Sequence, residues 1–161
     1  MAKRADFMPG SGLIPASAAG RDDVFLYGTL AHEAVLAAVR GRPVAPGELV
    51  PATLTGYRRE GALGASYPVL VVDPAAEVAG LLLRRPGADE LRRLNHFEAE
   101  EYVAARVTVL VEERPRDAWV YLALDVIQPS GRAWEVEAWA ARHLADYLDR
   151  IDGWLRDLAD P

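Results

Sequence analysis

The sequence predicts an α+β fold, a mixed or antiparallel sheet able to close into a small β-barrel with flanking α-helices and a long C-terminal helix. Three observations predict it. About six short runs have strand character, apolar or alternating and bounded by Gly, Pro or Asp. Three stretches keep helical spacing instead. The 161 residues, 51% of them hydrophobic, suffice for one domain with a sizeable core and are short for two.

The elements follow in order. Residues 1–21, rich in Ala, Ser, Gly and Pro, read as a flexible N-terminal tail, because that composition buries too little apolar surface to offset its ordering entropy. A single domain is expected over 22–161. Residues 23–27, Asp-Val-Phe-Leu-Tyr, form a buried strand that Gly28 ends, and a helix follows over 31–40 with Ala34, Val35, Ala38 and Val39 on its apolar side. Pro43, Pro46, Gly47 and Pro51 mark 42–51 as a loop. Strands are expected over 52–59, 67–72 and 76–84, with Asp73-Pro74 as the turn between the last two. A short helix starts at Asp89, with Asp89 and Glu90 in the first turn, where the helix dipole favours negative charge. Strands over 105–111 and 118–124 flank a turn-like segment at 113–117. The final helix runs from about Trp134, and Ala140, Leu144, Tyr147, Leu148, Ile151, Leu155 and Leu158 keep its spacing. Gly153 within it costs roughly 1 kcal/mol relative to Ala and marks a place for a kink.

Composition bounds the function. A formal net charge of -6 and a single lysine argue against a nucleic-acid groove. The absence of cysteine removes disulfides, thiolate metal sites and cysteine nucleophiles together, and fits a reducing compartment, with the cytoplasm as the default. No apolar run approaches bilayer length, and Pro9, Gly10 and Gly12 break any signal-like stretch, so no membrane partner is expected. Nothing in the pattern sets an oligomeric state.

Two short strings carry the chemistry. The first is Leu94-Asn95-His96-Phe97-Glu98. Glu98 lies four residues past Leu94 and seven past Leu91, on the stripe that points inward. Burial destabilises a charged carboxylate and raises its pKa toward the range of a general acid/base. An ordinary ion pair with Arg58, Arg59 or Arg106 fits the same position. Glu100 falls off the stripe and Glu101 sits at its fraying end. The second string is Tyr27-Gly28-Thr29-Leu30. A strand, a glycine turn and a helix in quick succession leave backbone N–H groups unpaired at the helix start, which suits a carboxylate, a phosphate or a developing oxyanion. An ordinary strand-to-helix turn gives the same pattern.

These strings stand in a longer order: Phe25-Leu26-Tyr27-Gly28-Thr29-Leu30, then residues 52–59 with Gly56-Tyr57-Arg58-Arg59, then Tyr67-Pro68, Val78-Ala79-Gly80, Leu94 to Glu98, and Tyr102. That order resembles the gamma-glutamylcyclotransferase-like superfamily, and Trp134-Glu135-Val136-Glu137-Ala138-Trp139 with His143-Leu144 resembles its avirulence-induced-gene-like branch. The resemblance implies a barrel-like fold whose cavity holds a gamma-glutamyl group. It implies that Tyr27, Gly28, Thr29 and Leu30 bind substrate, that Glu98 shuttles protons, and that no metal or organic cofactor is needed. The implied reaction is intramolecular attack of the α-amine on the side-chain amide, releasing 5-oxoproline and an amine or amino acid. On this reading Glu98 is the acid/base rather than a salt-bridge residue.

The sequence departs from the family pattern at Asn95, where many relatives have Asp, at Ala99, where many have Gly, and at Ala104, where an Arg is frequent. The lost arginine bears on substrate class. Tyr121, with Trp119 as its same-face neighbour, is a candidate cavity residue or a core residue. His96 and Glu100 have metal-ligand spacing but lack a third ligand, so no metal is expected. A second acid paired with Glu98 would imitate a glycosidase, but those enzymes usually need a longer sugar-binding cleft, and the carboxylate separation that tests the pairing is a property of the fold. His32 and His143 read as a surface and a locally packing histidine, and Ser66 lacks a nucleophile elbow. Two functions emerge: a cyclotransferase acting on a small gamma-glutamyl amine or amino acid, and a non-catalytic small-molecule-binding module of the same fold.

Overall fold

The computed structural model describes residues 13–98, 102–124 and 127–159. Six strands, β1 (Asp23–Leu26), β2 (Leu49–Ala62), β3 (Pro68–Leu83), β4 (Tyr102–Val111), β5 (Arg114–Ala123) and β6 (Pro129–Ala133), combine with α1 (Glu33–Arg40), α2 (Ala88–Glu98) and α3 (Val136–Ala159). The sheet order β3-β1-β5-β4-β2 closes on itself through β2–β3, so five strands form a barrel, and β6 adds to the outer end of β2. β1 and β5 run parallel and every other pair is antiparallel. The α+β barrel expectation holds.

Alternation along the strands divides the core. Phe25, Tyr27, Leu54, Tyr57, Leu82, Val109, Val120 and Leu122 fill the barrel. Val24, Leu26, Leu30, Val35, Leu36, Leu91, Leu94, Tyr121, Trp139 and Ile151 form a second layer under the helices. In α1, Val35, Leu36 and Val39 are all fully buried, which stabilises the helix far more than propensity does. α3 passes unbroken through Gly153. Among the described residues no helix is long and apolar enough to cross a membrane.

Four local expectations need correction. Asp73-Pro74 does not reverse the chain. β3 continues past it, and the pairing jumps from Thr55↔Glu77 to Tyr57↔Val72, so residues 73–76 bulge out opposite Gly56. The Asp73 carboxylate accepts from the Ala75 amide at 3.1 Å, so the turn signal was real but local, and Pro74 sits where no ladder N–H is needed. The second correction is that β4 and β5 join through Glu112 and Glu113 alone, both at positive φ (51° and 65°), a two-residue hairpin without its usual Asn or Gly. The third is which runs make up the six strands: 67–72 and 76–84 belong to the one strand β3, and the sixth is β6, short and exposed, which lacks an apolar pattern of its own. The fourth concerns residues 13–21, expected in the tail. Ile14 and Ala18 enter the helix-side core, and the Gly20 amide donates to the Pro86 carbonyl at 2.8 Å. Two buried side chains and a few backbone bonds anchor the segment despite its composition.

A charge cluster ties the end of α1 and the first turn of α2 to the start of β2. The Arg40 side chain is 0% exposed and faces Glu48 and Glu90. Glu48 also accepts from the Ala45 amide at 2.6 Å and from Arg42. Desolvation pushes the Glu48 carboxyl upward, but the Ala45 amide, Arg42 and Arg40 outweigh it and hold the pKa at about 2, below its ordinary 4.5. A depressed folded-state value means stability that is fully present above pH 4.5 and lost as pH falls through about 2. Glu48→Gln is expected to destabilise the fold by about 2 kcal/mol at neutral pH, because Arg40 keeps only Glu90. It should also flatten the acid limb of stability against pH, measured by urea unfolding.

Candidate active site

The end of β1 and the end of α2 meet at the barrel rim. β1 is buried throughout, and the chain leaves it at Tyr27 and Gly28 into a 3₁₀ turn, Thr29–Ala31. The first N–H bonded within that turn is Ala31's, to the Gly28 carbonyl, so the turn itself uses neither the Thr29 nor the Leu30 amide. Arg59 fixes the approach, its Nη1 donating to the Tyr27 carbonyl at 2.8 Å and its Nε to the Trp134 carbonyl at 3.0 Å. The Tyr27 hydroxyl donates to the Tyr121 carbonyl, which joins β1 to β5.

α2 brings the carboxylate. Leu91 and Leu94 are buried and Glu98, at the last position of the helix, is half-buried. An open pocket of about 500 Å³, including the space at its mouth, is lined by Tyr27, Gly28, Thr29, Leu30, Glu98 and Tyr121. All six candidate residues of the sequence analysis meet there. Phe25, Leu26, Tyr67, Pro68, Phe97, Tyr102 and Tyr147 complete the wall. Sequence reasoning assigned these no site role. Tyr67-Pro68 and Tyr102 were visible as motif residues, whereas Tyr147 carried only a core-type helical spacing. The Tyr102 hydroxyl donates to the Pro68 carbonyl at 2.8 Å, and Tyr67 meets Tyr102 edge to face. Phe97 packs edge-on to Tyr147, so α3 closes one side.

The three arginines weighed as structural partners of Glu98 are engaged elsewhere. Arg58 pairs with Glu60 and Asp73, Arg59 holds the carbonyls already described, and Arg106 lies over Trp119 and faces Asp22. Burial, and secondly the negative charge of Glu98, push the Tyr121 phenol well above its ordinary pKa. Tyr121 therefore stays protonated at any physiological pH.

The chain's pattern between residues 24 and 141 matches that of the family described as gamma-glutamyl cyclotransferase, AIG2-like. The chain belongs to this family. Two relatives from Arabidopsis thaliana are similar over most of their length. AIG2-like protein A is 28% identical over 130 residues, 79% of this chain and 77% of that protein. AIG2-like protein C is 29% identical over 139 residues, 84% and 78% respectively. A solution structure of an Arabidopsis thaliana protein superposes with a TM-score of 0.61 at 25% identity, over 87% of this chain and 94% of that one. A solved gamma-glutamyl cyclotransferase shares the fold, with a TM-score of 0.55 at 16% identity over 81% and 86%.

Two departures from the family pattern have structural counterparts. Asn95 bonds to the Ile14 backbone in both directions and accepts from the Tyr121 hydroxyl. Ala104 lies directly across the β4–β5 ladder from Tyr121, so the position of the frequent arginine is a small side chain beside the pocket wall. Ala99 lies outside the described residues, as do Glu100 and Glu101. His96 stacks on Trp154 with ring centroids 4.7 Å apart. His32 caps α1, its Nδ1 accepting from the Ala34 amide at 3.2 Å, and His143 packs near Trp139. Among the described residues no group of three His, Asp or Glu is placed to hold a metal ion.

Proposed function

We propose that this protein is a gamma-glutamylcyclotransferase-type enzyme that releases 5-oxoproline from a gamma-glutamyl amine or amino acid, with Glu98 as general acid/base. The observation that carries the reading is the convergence of Glu98 and the Tyr27–Leu30 turn on one aromatic-walled pocket, in a chain of this family. Glu98 takes a proton from the α-ammonium. The freed amine attacks the γ-carbonyl carbon, forming the ring C–N bond, and collapse of the tetrahedral intermediate breaks the bond to the leaving nitrogen, which takes the proton held by Glu98. Glu98 then accepts the second proton that the ring nitrogen gives up in becoming the lactam N–H, and this proton departs with the released amine as its ammonium. Amides at the turn would face the substrate carboxylate or the oxyanion. The pocket walls hold the flexible glutamyl chain folded on itself, without which a five-membered ring forms slowly. The step is an internal acyl transfer and draws on no metal or organic cofactor.

The test is 5-oxoproline release from a panel of gamma-glutamyl amines and amino acids, with Glu98→Gln as the paired variant. Turnover lost in a folded Glu98→Gln protein supports the reading. No turnover on any member, with ligand-induced thermal stabilisation retained, favours a non-catalytic binding module.

Gly28 gives a second test. A Cβ there would stand 3.0 Å from Cγ and 3.4 Å from Cδ of the buried Pro68 ring, which cannot rotate away. Gly28→Ala is expected to push the turn off Pro68 and raise KM by about tenfold, at a stability cost near 1 kcal/mol. Steady-state kinetics and a melting curve check both.

A further inference from the structure

We propose that the N-terminal segment sets the hydrogen-bond polarity of this pocket: Ile14 locks Asn95, and Asn95 acts as a positioning residue that leaves the Tyr121 hydroxyl oxygen as an acceptor for the substrate's α-ammonium. The inference rests on the cyclotransferase reading for the identity of the ligand.

Ile14 N–H donates to Asn95 Oδ1 at 3.0 Å, and Asn95 Nδ2 donates to the Ile14 carbonyl at 2.9 Å. Both backbone groups belong to one residue, so they dictate which end of the amide is oxygen. A flipped amide would set N–H against N–H and carbonyl against carbonyl. With Oδ1 so placed, the Tyr121 hydroxyl donates to it at 2.8 Å. A phenol has a single proton, and once that proton is committed the oxygen can only accept.

The anchoring is firm. Ile14 is 3% exposed and shares its apolar cluster with Leu91, Leu94 and Tyr121. Asn95 stands one helical turn before Glu98, so the same stretch of α2 carries the lock and the carboxylate. Among the described residues lining the pocket, Glu98 alone bears a formal charge. An anionic side chain and an acceptor phenol together favour a cationic hydrogen-bond donor, which the α-ammonium supplies and a desamino analogue lacks. A carboxylate at position 95 would still accept from Tyr121 but would leave the Ile14 carbonyl facing another acceptor.

The experiment measures binding by calorimetry in the full chain carrying Glu98→Gln, to suppress turnover. The two ligands are a gamma-glutamyl alkylamide and the matching glutaryl alkylamide, which lacks the α-amine. The expected result is tighter binding of the amine-bearing ligand, with the ratio cut about tenfold by adding Tyr121→Phe or Asn95→Ala. Combining the two should cut it little further, because they act through one hydroxyl. Asn95→Asp keeps an acceptor for Tyr121 and should retain the preference within about threefold. The inference is overturned if Asn95→Ala weakens both ligands equally, if its effect adds to that of Tyr121→Phe, or if neither ligand binds. Failure of the cyclotransferase reading looks different: the wild type would release no 5-oxoproline while the ligand ratio still responded to Asn95 and Tyr121.

Discussion

Glu98→Gln is expected to lower 5-oxoproline release by about 10³-fold, within the range that a positioned general acid/base contributes. The replacement is nearly isosteric, and the side chain is half-buried at a helix end rather than packed in the core, so the melting temperature should hold within about 3 °C. Glutamine can donate and accept hydrogen bonds but cannot carry a proton from one nitrogen to the other. The loss should therefore fall on kcat, with KM changed much less. Glu98→Asp separates charge from position. It keeps the carboxylate and withdraws it by one methylene, and a displacement of that size is expected to cost about 10²-fold. Substrate depletion and 5-oxoproline formation, followed by mass spectrometry, give both rates. Undiminished turnover by Glu98→Gln would remove Glu98 from the chemistry, whatever the pocket's shape.

Glu98 was legible in the sequence because helical periodicity is local: Leu91 and Leu94 define a face, and the carboxylate four residues on must share it. The turn after β1 was legible for the same reason, an apolar run stopped by glycine. The aromatic wall was not. Tyr67, Tyr102 and Tyr147 come from the approach to β3, the start of β4 and the middle of α3, and only barrel closure and the docking of α3 bring them together. Local strand signals failed where tertiary pairing overrode them. β5 begins at Arg114 rather than at the apolar Ala118 because the β4 ladder holds Arg114, Pro115, Arg116 and Asp117 in register. The segment at 13–21 escaped because one isoleucine and one alanine in a weakly apolar stretch carry no periodicity. Its anchor, Asn95, is 81 residues away.

Gly80→Ala tests how far the barrel positions the site. Gly80 is where β3 passes from β2 alone to pairing with both β2 and β1, since Leu81 pairs with Pro51 on one side and with Leu26 on the other. A Cβ at Gly80 would lie 2.5 Å from the Leu26 carbonyl oxygen and 2.7 Å from Cζ of Phe25. The first is backbone and the second a fully buried ring, so neither yields cheaply. The substitution is expected to destabilise the protein by at least about 3 kcal/mol and lower the melting temperature by roughly 10 °C. Gly61→Ala is the control. Its Cβ would meet the Ser130 hydroxyl at an ordinary 3.5 Å, and the change should stay within about 1 kcal/mol. The clash also points at the site, because Leu26 immediately precedes Tyr27 and Gly28. Whatever Gly80→Ala protein remains folded has relieved the contact by moving the end of β1, and its KM should rise more than its kcat falls. An unchanged melting temperature would mean that β1 can shift freely against β3, and the rigidity attributed to the turn would then have to come from Arg59 and Pro68 instead.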